Sequence, residues 1–119
     1  MFELDTLSCD DTYNMTDDEL RLYTNLTSLS LAHNNTITNN GISNLISLTN
    51  LDLSFNPSIT DEGITRLTNL CKLNLQCNTV ITIDALAGLP NLEQVTAKYD
   101  QPVFKSMLKQ NKYIVRMCT

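Results

Sequence analysis

The sequence predicts an α/β solenoid, a stack of short strand–turn–helix units sharing one curved parallel β-sheet. Three observations predict it. A nine-residue string recurs three times: LTSLSLAHN from Leu26, LTNLDLSFN from Leu48 and LCKLNLQCN from Leu70. Each copy reads Leu-x-x-Leu-x-Leu-x-x-Asn, and their starts lie 22 residues apart. The segments between keep the same step, since Ile37 and Ile59, Gly41 and Gly63, and Ile42 and Ile64 all coincide at a shift of 22. The composition agrees: 19 Leu, 15 Thr and 14 Asn stand against 3 Gly, 3 Pro and no Trp. A fixed period of this length marks a repeat architecture, in which no unit buries its apolar face alone.

The 119 residues are one domain's length, 1–119, with repeats at about 4–25, 26–47, 48–69, 70–88 and 89–110. In the first repeat Leu4, Leu7, Cys9 and Thr12 take the places of Leu26, Leu29, Leu31 and Asn34. Thr16-Asp17-Asp18-Glu19 reads as a capping box opening a short helix through Tyr23. In the next units Leu29 and Leu31, then Leu51 and Leu53, alternate with outward residues as a strand requires. The Asn that follows each strand is expected in the interior. Its amide can satisfy backbone donors and acceptors left by the bend, so Asn34, Asn56 and Asn78 form an internal ladder, with Thr12 a candidate first rung. The fourth unit is expected to lack three residues between Thr82 and Ile83. The fifth opens at Leu89 and Leu92, with Gln94 where a Leu belongs. Residues 102–118 read as an amphipathic helix, PVFKSMLKQN, and a last strand, KYIVRMC.

This pattern resembles the leucine-rich repeat family over nearly the whole chain. The 22-residue unit is similar to the short class of bacterial internalins and some intracellular regulatory proteins. The ITDEG turn also resembles the repeats of F-box substrate receptors, whose units are longer. The degraded fifth unit departs from the pattern. The resemblance implies a right-handed solenoid with the sheet on the concave face and short helices or turns on the convex face. It also implies a protein partner bound at the concave sheet.

The outward strand positions there are Thr6, Ser8, Asp10, Ser28, Ser30, Ala32, Asn50, Asp52, Ser54, Lys72, Asn74, Gln76, Asn91 and Glu93. His33, Phe55 and Cys77 follow along the loop. This face is small, polar and poor in the large anchors that dominate binding energy. Phe55 is either its one anchor or a cover for the core edge. The candidate protein-binding set is therefore Ser28, Ser30, His33, Asn50, Asp52, Ser54, Phe55, Lys72, Asn74 and Gln76.

Other chemistries find no support. His33 and Cys77 stand two strands apart, about 10 Å, too far for a nucleophile dyad that needs about 3 Å, so no catalytic role is expected. Cys9, Cys71, Cys77 and Cys118 lack paired CxxC spacing, and neither a zinc site nor a disulfide framework is expected. The acidic cluster of the first repeat lacks the glycine turn of a calcium loop, and no phosphate-binding motif occurs. No cofactor is expected. A net charge of −5 argues against nucleic acid. No apolar run of spanning length argues against membrane insertion. The start MFELDTLSCDD lacks a signal peptide's basic and apolar regions, so the expected place is intracellular, with reduced thiols. The Asn and Thr richness resembles proteins of AT-rich genomes, including amoebal parasites and large DNA viruses. For such an origin the expected place is host cytoplasm or virion.

Charge is split along the chain. Residues 1–25 hold seven acids and one base, whereas residues 96–119 hold five bases and one acid. The bases form a C-terminal patch of Lys98, Lys105, Lys109, Lys112 and Arg116. The leading expectation is thus a non-catalytic protein-interaction module. The alternative is assembly of identical chains through oppositely charged, uncapped ends.

Overall fold

Each unit folds because a strand, a tight bend and one helical turn consume one 22-residue step and return the chain beside its own start. A computed structural model describes residues 5–9, 15–98, 101, 102 and 105, with the backbone alone at 114–117. The elements alternate in chain order: β1 (Thr6–Ser8), α1 (Asp17–Leu20), β2 (Ser28–Ser30), α2 (Asn39–Ile42), β3 (Asn50–Asp52), α3 (Asp61–Ile64), β4 (Lys72–Asn74), α4 (Ile83–Ala87), β5 (Gln94–Ala97) and β6 (Ile114–Met117). All six strands pair in parallel, in sequence order, as one sheet. The expected Thr12 rung, Asp10, Lys109, Lys112, Cys118 and most of the expected helix 102–111 lie outside the described residues.

The register corrects the fourth and fifth repeats. Lys72 pairs with Gln94 and Leu73 with Val95, so the step of 22 continues without a gap. α4 starts at Ile83, 22 residues after Asp61. The fourth unit therefore runs over 70–91 rather than 70–88, and Leu92, not Leu89, takes the place of Leu70. The apparent deletion came from side chains alone. Ile83 and Ala85 replace the Asp61 and Gly63 of the polar turn, while Val95 and Ala97 replace the inward leucines.

The core is a set of columns. Leu26, Leu48, Leu70 and Leu92 are buried, as are Leu29, Leu51, Leu73 and Val95, and Leu31, Leu53, Leu75 and Ala97. Behind the sheet Ile37, Ile59 and Ile81, and Ile42, Ile64 and Leu86, close the opposite wall. Each full burial of such a side chain is worth about 1.5–3 kcal/mol.

The polar interior is equally periodic. The side-chain nitrogen of Asn34 donates to Cys9 O at 3.2 Å, that of Asn56 to Leu31 O at 2.9 Å, and that of Asn78 to Leu53 O at 2.9 Å. Each amide oxygen accepts the backbone N–H groups two and three residues on, as Asn56 does from Ser58 and Ile59 at 2.9 and 3.0 Å. Gln101 ends the ladder. Its nitrogen donates to Leu75 O and Asn78 O at 2.8 and 2.9 Å, and its oxygen accepts from Cys77 N and Lys98 N at 3.0 and 2.7 Å. Among the described residues, no buried side-chain nitrogen or oxygen lacks a partner.

A second ladder runs along the helices. Asp17 accepts from Thr38 N at 2.8 Å, Asn39 from Thr60 N at 3.0 Å, and Asp61 from Thr82 N at 2.9 Å. The first residue of α1, α2 and α3 thus caps the N-cap threonine of the next helix. Thr16 is served locally, by a capping box with Glu19. This ladder explains two glycines. A β-carbon on Gly63 would lie 2.5 Å from Asn39 Oδ1, and one on Gly41 would lie 2.7 Å from Asp17 Oδ1.

Asn56→Ala leaves the Ser58 and Ile59 amides unpaired in or near the core and removes one of the two donors to the Leu31 carbonyl, which keeps Asn34 N. It should cost about 2–4 kcal/mol in urea denaturation, a large share of a typical 5–15 kcal/mol. Gly63→Ala should cost about 1–3 kcal/mol, because Asn39 is held by Thr60 and cannot yield. Gly88→Ala, where the new carbon meets only Ala85 O at 3.6 Å, should instead be neutral or stabilise by up to about 1 kcal/mol. Equal costs at Gly63 and Gly88 would refute this account of the helix ladder.

Candidate functional site

The strands are three or four residues long, so each presents two side chains to the concave face. The register aligns them into two columns. Thr6, Ser28, Asn50, Lys72 and Gln94 form the first, and Ser8, Ser30, Asp52, Asn74 and Thr96 the second. Together they line a groove of about 340 Å³ running across five strands. Its charged lining residues are Asp52 and Lys72, of opposite sign. Gln94 and Thr96 stand where Asn91 and Glu93 were expected. Asn91 lies in the preceding turn, and its side chain donates to Thr68 O at 2.9 Å.

The two columns differ in what their side chains already do. In β2, β3 and β4 the second column holds the loop that follows the strand. Ser30 Oγ accepts from Ala32 N at 3.4 Å, Asp52 Oδ1 from Ser54 N at 2.9 Å, and Asn74 Oδ1 from Gln76 N at 3.0 Å. Ser54 Oγ also donates to Asp52 Oδ1 at 2.6 Å. In the first column Asn50 and Lys72 are exposed, and neither takes part in these loop contacts. Ser54 itself is buried rather than outward. Its strand ends at Asp52, so the inward–outward alternation no longer governs it. Gln76 is half-buried at the same place one repeat on.

Past the loop the chain turns sharply, with Asn34 N, Asn56 N and Asn78 N returning to Leu31 O, Leu53 O and Leu75 O. The third residue of each turn has positive φ: His33 at 62°, Phe55 at 53° and Cys77 at 55°. Turns of this kind favour Gly or Asn there, and other residues carry a cost of about 1–2 kcal/mol. His33 and Phe55 lie on the exposed rim with rings stacked, centroids 4.5 Å apart and planes 10° from parallel. Cys77 is the half-buried third member of the row. The shared backbone state is not legible in the hydrophobic period, although His, Phe and Cys at one 22-residue register is the available clue.

The remaining candidates are scattered. Lys98 is half-buried with its amide on Gln101, Lys105 is exposed, and Arg116 stands on β6 opposite Thr96. Cys9 is buried with its thiol 4.0 Å from the Met15 sulfur. Among the described residues, no group of three or more His, Cys, Asp or Glu could hold one metal ion. No helix there is long and apolar enough to cross a membrane.

Comparison with known proteins bears on the fold. The family model described as "Leucine Rich repeat" matches residues 24–46 and 44–67, two adjacent units. No curated protein matches the chain. Among solved structures, an internalin (inlF) from Listeria monocytogenes str. 4b F2365 superposes with a TM-score of 0.62. The two are 22% identical over 96% of this chain, which spans only 41% of that chain's length.

The division of labour between the columns is testable by stability. Asp52→Arg removes the acceptor of Ser54 N and of the buried Ser54 hydroxyl, and should cost about 1–2 kcal/mol. Asn50→Arg, one column away, should stay within about 0.5 kcal/mol of wild type. Equal denaturation midpoints for the two variants would refute the assignment.

Proposed function

We propose that this chain, a leucine-rich-repeat protein by its matched repeats and its fold, is a non-catalytic module that binds a protein partner through the concave groove. The observation that carries this reading is the separation of the two columns. Ser30, Asp52 and Asn74 are committed to the loops, whereas Ser28, Asn50 and Lys72 leave a row of hydroxyl, amide and ammonium groups facing outward on rigid strands. Such a surface is pre-ordered. Binding it costs little conformational entropy, which favours affinity from modest contacts. The lining suits a polar partner segment that both donates and accepts hydrogen bonds, with one acidic group placed for Lys72.

The binding set is accordingly Ser28, Asn50, Lys72 and Gln94, with Ser30, Asp52 and Asn74 as its structural floor. The test is affinity capture from cell lysate with identification by mass spectrometry, wild type beside Asn50→Arg/Lys72→Glu. A protein retained by wild type and lost by a folded double variant supports the groove. Equal recovery with both, or recovery lost only on reversing Lys98 and Lys105 to Glu, overturns it. The latter result moves the function to assembly through the charged ends.

A further inference from the structure

The aromatic row on the rim stops one repeat short. His33 and Phe55 occupy the same place in successive units, and their rings stack at 4.5 Å, close to the strand spacing of about 4.8 Å. The solenoid step therefore sets the ring spacing. At the next place stands Cys77, too small to continue the stack. A slot of about 210 Å³ opens there, lined by Phe55, Asn56, Pro57, Cys77 and Thr79. For scale, an apolar cavity of about 150 Å³ admits benzene. Phe55 is 42% exposed although it is a large apolar side chain. Its ring has one face on His33 and borders the slot on the side of the next repeat.

The backbone adds a second observation. Phe55 is held at φ 53° in a turn closed by Asn56 N on Leu53 O at 3.3 Å, and its own amide donates to Gln76 O at 3.0 Å. The ring is thus carried on a fixed bend that glycine, lacking a β-carbon, would occupy with less strain. From the register, the spacing and the slot, we infer that the space over Cys77 receives an aromatic side chain of the partner protein, which stacks on Phe55 as a third ring. Aromatic pairs gain from offset stacking at centroid separations of about 4.5–7 Å, which an aliphatic group does not reproduce. The Cys77 thiol adds a polarisable contact of the kind sulfur makes with rings. That the ring belongs to a protein rests on the function proposed above, whereas the ring's preference for this slot does not. In the sequence, the same step of 22 next reaches Tyr99, outside the described residues.

The experiment titrates N-acetyltryptophanamide, and separately N-acetylleucinamide, into the isotope-labelled full chain, following backbone amide signals by NMR. The expected result is saturable shifts from the tryptophan derivative at residues 55–57 and 77–79, with the leucine derivative at least about fivefold weaker. Phe55→Leu should weaken the aromatic probe about fivefold, and Phe55→Tyr should preserve it. Cys77→Phe, which supplies the third ring from within, should abolish it. Equal binding of the leucine derivative, no saturable shift, or unchanged affinity in Phe55→Leu overturns the proposal. So does binding that emerges only in Tyr99→Ala, since the chain's own ring is then the occupant. The probes need no partner, so failure here and failure of the groove in the capture experiment are separate results.

Discussion

Each described coil of this solenoid must turn away from the sheet immediately after a strand of three or four residues, and the turn drives backbone amides and carbonyls into the buried interior. Asn34, Asn56 and Asn78 meet that demand in the same way. Each donates to a carbonyl of the preceding coil and accepts from two amides of its own. A short amide does both from one position, with its nitrogen donating and its oxygen accepting. The leucine columns supply most of the burial, but leucine pairs with no backbone group. Without the asparagines, the bend would leave polar groups orphaned at each step, and the compact unit of 22 residues would not close.

The helix ladder repeats the same solution on the opposite wall. Asp17, Asn39 and Asp61 reach forward to the threonine of the next unit, and the two glycines exist to make room for that reach. Both ladders connect nearest neighbours only, as does the hydrogen bonding of the sheet. Stability is then a sum of unit and interface contributions, and substitutions in different units should combine additively except across one interface.

The fold was legible wherever side-chain identity and backbone position travelled together. Three copies of Leu-x-x-Leu-x-Leu-x-x-Asn fixed β2, β3 and β4, and the capping box at Thr16 marked the start of α1, which ends at Leu20 rather than Tyr23. It failed where backbone persisted under changed side chains. Val95 and Ala97 fill the inward places of β5, and Ile83 heads α4 without the acidic residue of its neighbour, so the fifth strand was placed three residues early. Gln101 was hidden for a related reason. It stands 23 residues after Asn78, and its extra methylene offsets the one-residue lag. On the concave face, strand alternation located Ser28, Asn50 and Lys72 but misplaced Ser54, because alternation ends with the strand. That Asp52 and Asn74 are engaged by the loop depends on where the turn begins, which no periodicity reveals.

The same turn separates fold from recognition. A residue in the second column cannot be exchanged freely, since its side chain holds the loop that carries the rim. A residue in the first column lies before the turn and holds nothing beyond its strand. Under the proposed function, variation in binding specificity is therefore least costly at Ser28, Asn50, Lys72 and Gln94. The rim is an intermediate case: the backbone of His33, Phe55 and Cys77 is dictated by the turn, while their side chains project past it. That arrangement holds side chains rigidly at a place where glycine would strain the chain less. A solenoid concerned only with its own stability would put Gly or Asn at all three positions. The aromatic pair at His33 and Phe55 runs against that preference, and on the reading proposed above it marks the rim, beside the first column, as surface shaped for contact.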